Sequence, residues 1–129
     1  MKGNNFLCGL VMAAMLGGCT SQLPATTREE VMNNKQYTHV QFLPGHGMMN
    51  GETFPIWNYN LQLPGSNGYI MHTGMGFEHL TDALKIVEEI AGPQSKFAVY
   101  GLDQLKADAN SEITKYLNGR AVSVINTSD

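Results

Sequence analysis

The sequence predicts an α+β domain: a small two-layer fold of order β-β-β-α-β-α-β, with both helices on one face of a single sheet. Three patterns predict it. Residues 55–63 alternate, with Trp57, Tyr59, Leu61 and Leu63 against Asn58, Asn60 and Gln62, which is the period of a half-buried strand. Leu80, Ala83, Leu84, Val87, Ile90 and Ala91 recur at three- and four-residue spacing, the stripe of an amphipathic helix. Phe97-Ala98-Val99-Tyr100 is an unbroken apolar run, as in a central strand.

The remaining elements follow in order. Residues 20–35 are rich in serine, threonine and proline at their start and read as a flexible tether. Within them, Thr27 with Glu30 three residues on has the pattern of a helix-capping box. In Gln36–Leu43, Val40 and Phe42 alternate with His39 and Gln41, predicting a first strand. Pro44–Phe54, with three glycines, reads as a loop. Pro64-Gly65-Ser66-Asn67 supplies turn chemistry, and Gly68–Thr73 is the return strand of a hairpin. Gly92-Pro93 stops the helix over 80–91. Lys96–Tyr100 is a strand, and Leu102, Leu105, Ala109, Ile113, Tyr116 and Leu117 trace a second helical stripe, ended by Asn118-Gly119. Arg120–Asn126 is the last strand. The outer sheet face then carries His39, Gln41, Asn58 and Asn60, and an exposed sheet face or edge can dock another protein.

Composition narrows the function classes. A length of 129 residues suits one domain. Hydrophobic residues at 43% and charged residues at 15% exclude a charge-rich disordered chain. A net charge of −3 argues against a nucleic-acid partner, which selects a basic face. Two cysteines are too few for a disulfide scaffold.

The strongest signal is at the N-terminus. Lys2 precedes an apolar run of eleven residues, Phe6–Leu16. A bilayer span needs about 20 apolar residues, so this run has the length of a secretory h-region instead. Leu16-Gly17-Gly18-Cys19 follows at once and resembles the lipobox of bacterial lipoproteins. The resemblance covers only about the first 20 residues. It implies a signal peptide at 1–18, cleavage before Cys19, and acylation of the Cys19 thiol and of the new amine. The division is then 1–18 signal peptide, 19–35 lipidated cysteine and tether, and 36–129 a small periplasmic α+β domain. Cys19 would be the only cysteine of the mature chain, so no internal disulfide is expected. Thr20 and Ser21, rather than aspartate, follow it, and in a Gram-negative host the resemblance then implies the outer membrane, facing the periplasm.

Two further constellations merit weight. His46, Met48 and Met49 sit in the glycine-rich segment, and Met71, His72 and Met75 sit around the strand-to-helix turn. Thioether and imidazole ligands suit Cu(I). With Trp57 nearby, the set resembles periplasmic copper and silver carriers in ligand type, though methionine is equally a gap-filler of cores. Outer-membrane lipoproteins with a peptidoglycan-binding domain share a β-α-β-α-β order, but their binding-site motif does not occur around Asp103 or Arg120. No Gly-x-Ser-x-Gly or His-Glu-x-x-His motif is present, so the expectation is a non-enzymatic protein with no cofactor. The expected role is docking onto an envelope assembly such as a secretion, pilus or conjugation system. The alternatives are a periplasmic copper-binding protein and a cell-wall-binding module.

Overall fold

A computed structural model describes residues 23–125. The expected signal peptide, and Cys19 with it, lie outside the described residues. One six-stranded mixed sheet organises the chain. Its strands are β1 (Ala25–Thr26), β2 (Tyr37–Met49), β3 (Glu52–Gly65), β4 (Gly68–Phe77), β5 (Lys96–Tyr100) and β6 (Ala121–Val124). Their order across the sheet is β1-β6-β5-β2-β3-β4. Strands β1, β6, β5 and β2 run parallel, whereas β2, β3 and β4 form an antiparallel meander. The helices are α1 (Arg28–Asn33), α2 (Leu80–Ala91) and α3 (Ala107–Tyr116).

The α+β class and single sheet agree with expectation, and the element order does not. A short strand and a helix, β1 and α1, precede the expected elements. Helices α2 and α3 pack on one sheet face, where Leu80, Leu84, Val87 and Ile113 meet Val40, Phe42, Tyr59, Leu61, Phe97 and Val99. Helix α1 lies on the other face, where Val31 meets Ala98 and Val124. Strand β5 is thereby covered on both sides, which is why its run 97–100 is apolar throughout. The second helical stripe is also interrupted. Gly101 takes a left-handed conformation, Leu102–Gln104 forms a 3-10 turn, and α3 starts only at Ala107.

The segment expected as a tether is folded from Leu23 onward, which corrects the 19–35 boundary. Leu23 is buried in the main core, and the Ser123 N–H donates to the Pro24 carbonyl at 2.7 Å. The capping box forms: the Glu30 N–H donates to Thr27 Oγ1 at 3.2 Å, and Glu30 Oε1 faces the Thr27 N–H at 3.5 Å. The Thr26 hydroxyl donates to the same carboxylate at 2.6 Å, and this bond, with the Thr27 N–H, holds Glu30 below the usual carboxylate range. Polar composition misled because a six-residue helix needs only one apolar anchor, Val31, to bury a patch of sheet.

The expected loop 44–54 is a two-stranded ribbon. Strands β2 and β3 continue past their neighbours and pair from Gly45↔Ile56 to Met49↔Glu52. Asn50 and Gly51, with φ of 54° and 79°, close it as a two-residue hairpin turn of the type that Asn-Gly favours. Pro44 and Pro55 are tolerated because the ribbon has no third strand beside them, so their missing N–H groups break no ladder. Gly47 lies directly opposite Phe54, whose ring crosses it so closely that a Cβ there would sit 2.7 Å from the ring. The glycines read as loop signals thus serve a hairpin: Gly47 makes room for the Phe54 ring, and Gly51 takes the positive φ of the turn.

Candidate functional site

Helix α1 covers only the β5–β6 half of its sheet face. Over β2, β3 and β4 the face stays open and forms a groove of about 270 Å³. Gln41 and Asn60 are cross-strand partners there, and His39, Gln62 and Met71 form the next row across three strands. Arg28 and Met32 of α1 make the opposite wall.

His39 is the floor of this groove, only 5% exposed. Its Nδ1 pairs with the Tyr100 hydroxyl at 2.7 Å and its Nε2 with the Tyr69 hydroxyl at 3.3 Å. The Tyr69 ring stands edge-on to the imidazole, 5.0 Å between centroids. A neutral imidazole donates through one nitrogen and accepts through the other, so both phenols are satisfied. Burial first, and the Arg28 charge second, push the His39 pKa below its ordinary value. Burial also raises the Tyr100 phenol, keeping it protonated. The Arg28 guanidinium lies over the Tyr100 ring, 5.7 Å from its centroid. Among the described residues Arg28 joins no ion pair.

A pH dependence follows. The folded His39 pKa lies below the unfolded value of about 6.5, so the unfolded chain takes up the proton first. The stability that neutral His39 contributes is full above about pH 6.5 and is lost as pH falls through the folded value. Urea unfolding at pH 7 and pH 5 is expected to show lower stability at pH 5. A His39→Gln variant is expected to lose most of that difference, and an equal drop in both proteins would contradict it.

The four residues expected on an interaction face share the α1 side of the sheet by strand alternation, but they play different parts. Gln41 and Asn60 line the groove. His39 is sealed beneath two tyrosines and cannot contact a protein partner directly. Asn58 is engaged with β4: its Oδ1 accepts from the Gly76 N–H at 3.0 Å and fixes a bulge between Gly74 and Phe77. The residues that sequence reasoning missed are Arg28, Met32, Gln62, Tyr69 and Tyr100. Gln62 was available from the alternation of Asn58 and Asn60. Arg28 was not, because its segment reads as a linker.

The six sulfur and imidazole residues are not assembled into one site, which corrects that expectation. Met71 and His72 are neighbours on a strand and point to opposite faces. Met71 lines the α1-side groove. His72 stacks on Tyr59, with Nδ1 at 3.2 Å from the Tyr59 hydroxyl, on the face that carries α2 and α3. His46 lines a second groove of about 710 Å³ between the ribbon and the helical layer, beside Trp57, Leu80, Leu105, Asp108 and Glu112. Met48 and Met49 sit at the ribbon tip and Met75 in the β4 bulge. Among the described residues, no cluster of three or more histidine, cysteine, aspartate or glutamate side chains is placed to hold a metal ion.

The most exposed large apolar side chains fall in two places, the ribbon tip and strand β4. Met48, Met49, Ile70, Met71 and Met75 are each between 61% and 77% exposed, and all five lie on the β2–β4 meander. Strand β4 is the outer strand of the sheet, carries no charged residue, and is ten residues long. The opposite edge, β1, has two residues. Edges of soluble proteins are ordinarily short, charged or covered, so β4 is the unprotected one. Among the described residues, no helix is long and apolar enough to cross a membrane. No protein-family model matches the chain, and no curated protein or solved structure matches it.

Proposed function

We propose that the protein is a non-enzymatic lipoprotein, anchored in the outer membrane through Cys19, that docks onto a periplasm-facing envelope assembly such as a secretion, pilus or conjugation system. The observation that carries this reading is the exposure of five large apolar side chains on the β2–β4 meander, Met48 and Met49 at the ribbon tip and Ile70, Met71 and Met75 along β4. Single exposed apolar residues are ordinary, but an adjacent exposed pair at a projecting ribbon tip, with three more along an uncharged outer strand, marks an interaction surface. Methionine suits such a surface because its unbranched thioether adapts to the partner.

Topology supports the same reading. Leu23, the first described residue, lies beside the starts of the parallel strands β1, β6, β5 and β2. The ribbon tip with Met48 and Met49 is at the far end of β2, which runs about 40 Å at roughly 3.3 Å per residue. Three residues lie between Cys19 and Leu23, four Cα–Cα steps with a reach of at most about 14 Å. A lipid on Cys19 therefore holds the first end of the sheet against the membrane and directs the methionine-bearing end toward the periplasm.

The test is in-cell photo-crosslinking of the full-length protein from position 49, with identification of what is captured. A discrete set of envelope-assembly proteins is expected from Met49, and none from Asn67 in the turn at the anchored end. Capture of nothing from position 49, or of the same proteins from both positions, contradicts the reading.

A further inference from the structure

The groove on the α1 side of the sheet lies away from the ribbon tip that carries Met48 and Met49, although Met71 lines it, and has a chemistry of its own. Its only charged lining residue is Arg28, in a chain of net charge −3. The second groove is the opposite case, with Glu78, Asp108 and Glu112 against Lys106. The Arg28 side chain is exposed, is paired with no carboxylate among the described residues, and is laid on Tyr100. Tyr100 is in turn fixed at its hydroxyl by buried His39. The guanidinium therefore rests on a rigid aromatic platform. Such a group binds carboxylates through two parallel N–H donors.

The rest of the lining is amide. Gln41, Asn60 and Gln62 stand in adjacent rows of β2 and β3, each offering one carbonyl acceptor and one NH₂ donor. Alternating acceptors and donors match the backbone of a short peptide. Met32 and Met71 flank the groove and supply adaptable apolar walls for a small side chain. A volume of about 270 Å³ is near the lower limit of ligand pockets, so the groove admits an end group and not a large cofactor.

We propose that this groove binds the free carboxylate end of a peptide, with Arg28 as the carboxylate receptor, Tyr100 as its platform, and Gln41, Asn60 and Gln62 reading the adjoining amides. The site stands whether or not Cys19 is lipidated. Two sources present this chemistry in the envelope: the C-terminus of a protein, which ends in an L-residue, and the stem peptides of the cell wall, which end in D-residues.

The experiment is an NMR titration of the ¹⁵N-labelled full chain in a non-ionic detergent. The probes are acetyl-L-Ala-L-Ala and acetyl-D-Ala-D-Ala, each as free acid and as C-terminal carboxamide. The acid of at least one hand is expected to shift the signals of residues 28, 41, 60 and 62, with its carboxamide at least about tenfold weaker. The preferred hand assigns the source. Arg28→Gln is expected to reduce affinity at least about tenfold while leaving the spectrum outside the groove unchanged, because the residue is exposed. Gln62→Leu is expected to weaken binding several-fold while sparing the preference for acid over carboxamide. Equal shifts from acid and carboxamide, undiminished binding by the Arg28 variant, or no shift up to roughly 10 mM ligand would overturn the proposal.

Discussion

Replacing Gly74 with valine is expected to remove a large part of the folding free energy. Gly74 is the cross-strand partner of Tyr59, and the phenol ring lies across it. A Cβ at position 74 would sit 2.2 Å from one ring carbon and 2.5 Å from another, inside any van der Waals contact. Tyr59 cannot yield cheaply. It is 2% exposed, packs against Phe77, and meets His72 at its hydroxyl. The valine must expel the ring, which forfeits burial comparable to deleting a core aromatic, ~3–5 kcal/mol. Domains of this size have about 5–15 kcal/mol in total. The loss is read as a fall in the urea midpoint. The double variant Gly74→Val with Tyr59→Ala separates the mechanism. If the ring is the obstacle, the valine costs little once the ring is gone. Additive losses would contradict the account.

The second large effect concerns location. The proposed lipid on Cys19 comprises several acyl chains, and at about 0.8 kcal/mol per buried methylene two or more make dissociation negligible where one is marginal. Wild-type protein is expected in the membrane fraction, released by detergent and not by salt, with acyl mass on the peptide that begins at Cys19. Cys19→Ser is expected either to appear in the soluble fraction or to accumulate as the uncut precursor of higher mass. A Cys19→Ser protein with wild-type mass and membrane retention would contradict lipidation.

Much of the fold was legible because period-two and period-three-to-four patterns are local. Helix α2 lies where the apolar stripe and Gly92 place it, and β5 where the run 97–100 does. Two segments were misread for physical reasons. Glycine and proline at 44–55 signal a loop only where the chain lacks a cross-strand partner. Here Asn50-Gly51 closes a hairpin, and Gly47 makes room for Phe54. Residues 25–33 lack the apolar content of a core element, yet the capping box of Thr27 and Glu30 and the single anchor Val31 suffice because β5 and β6 offer a surface to cover.

The site was legible only in part. Strand alternation puts His39, Gln41, Asn58 and Asn60 on one face. It does not say that Tyr69 and Tyr100, from strands on either side, close over His39. Nor does it say that α1 returns to bring Arg28 above Tyr100. Both depend on strand order, which crosses from β2 to β5 and places residues 61 positions apart in hydrogen-bond contact. The dispersal of the methionines and histidines has the same origin, since a type-based cluster in sequence is divided by the pleat.

The central claim is that a lipid at Cys19 holds one end of the sheet at the membrane while the methionine-bearing end engages an envelope partner. The most direct test is photo-crosslinking from position 49 in cells carrying either wild-type Cys19 or Cys19→Ser, at matched protein levels. The account predicts a discrete crosslinked envelope protein in the wild-type background and its loss or strong reduction in the Cys19→Ser background. The same adduct at the same yield in both backgrounds, or no adduct in either, would contradict it.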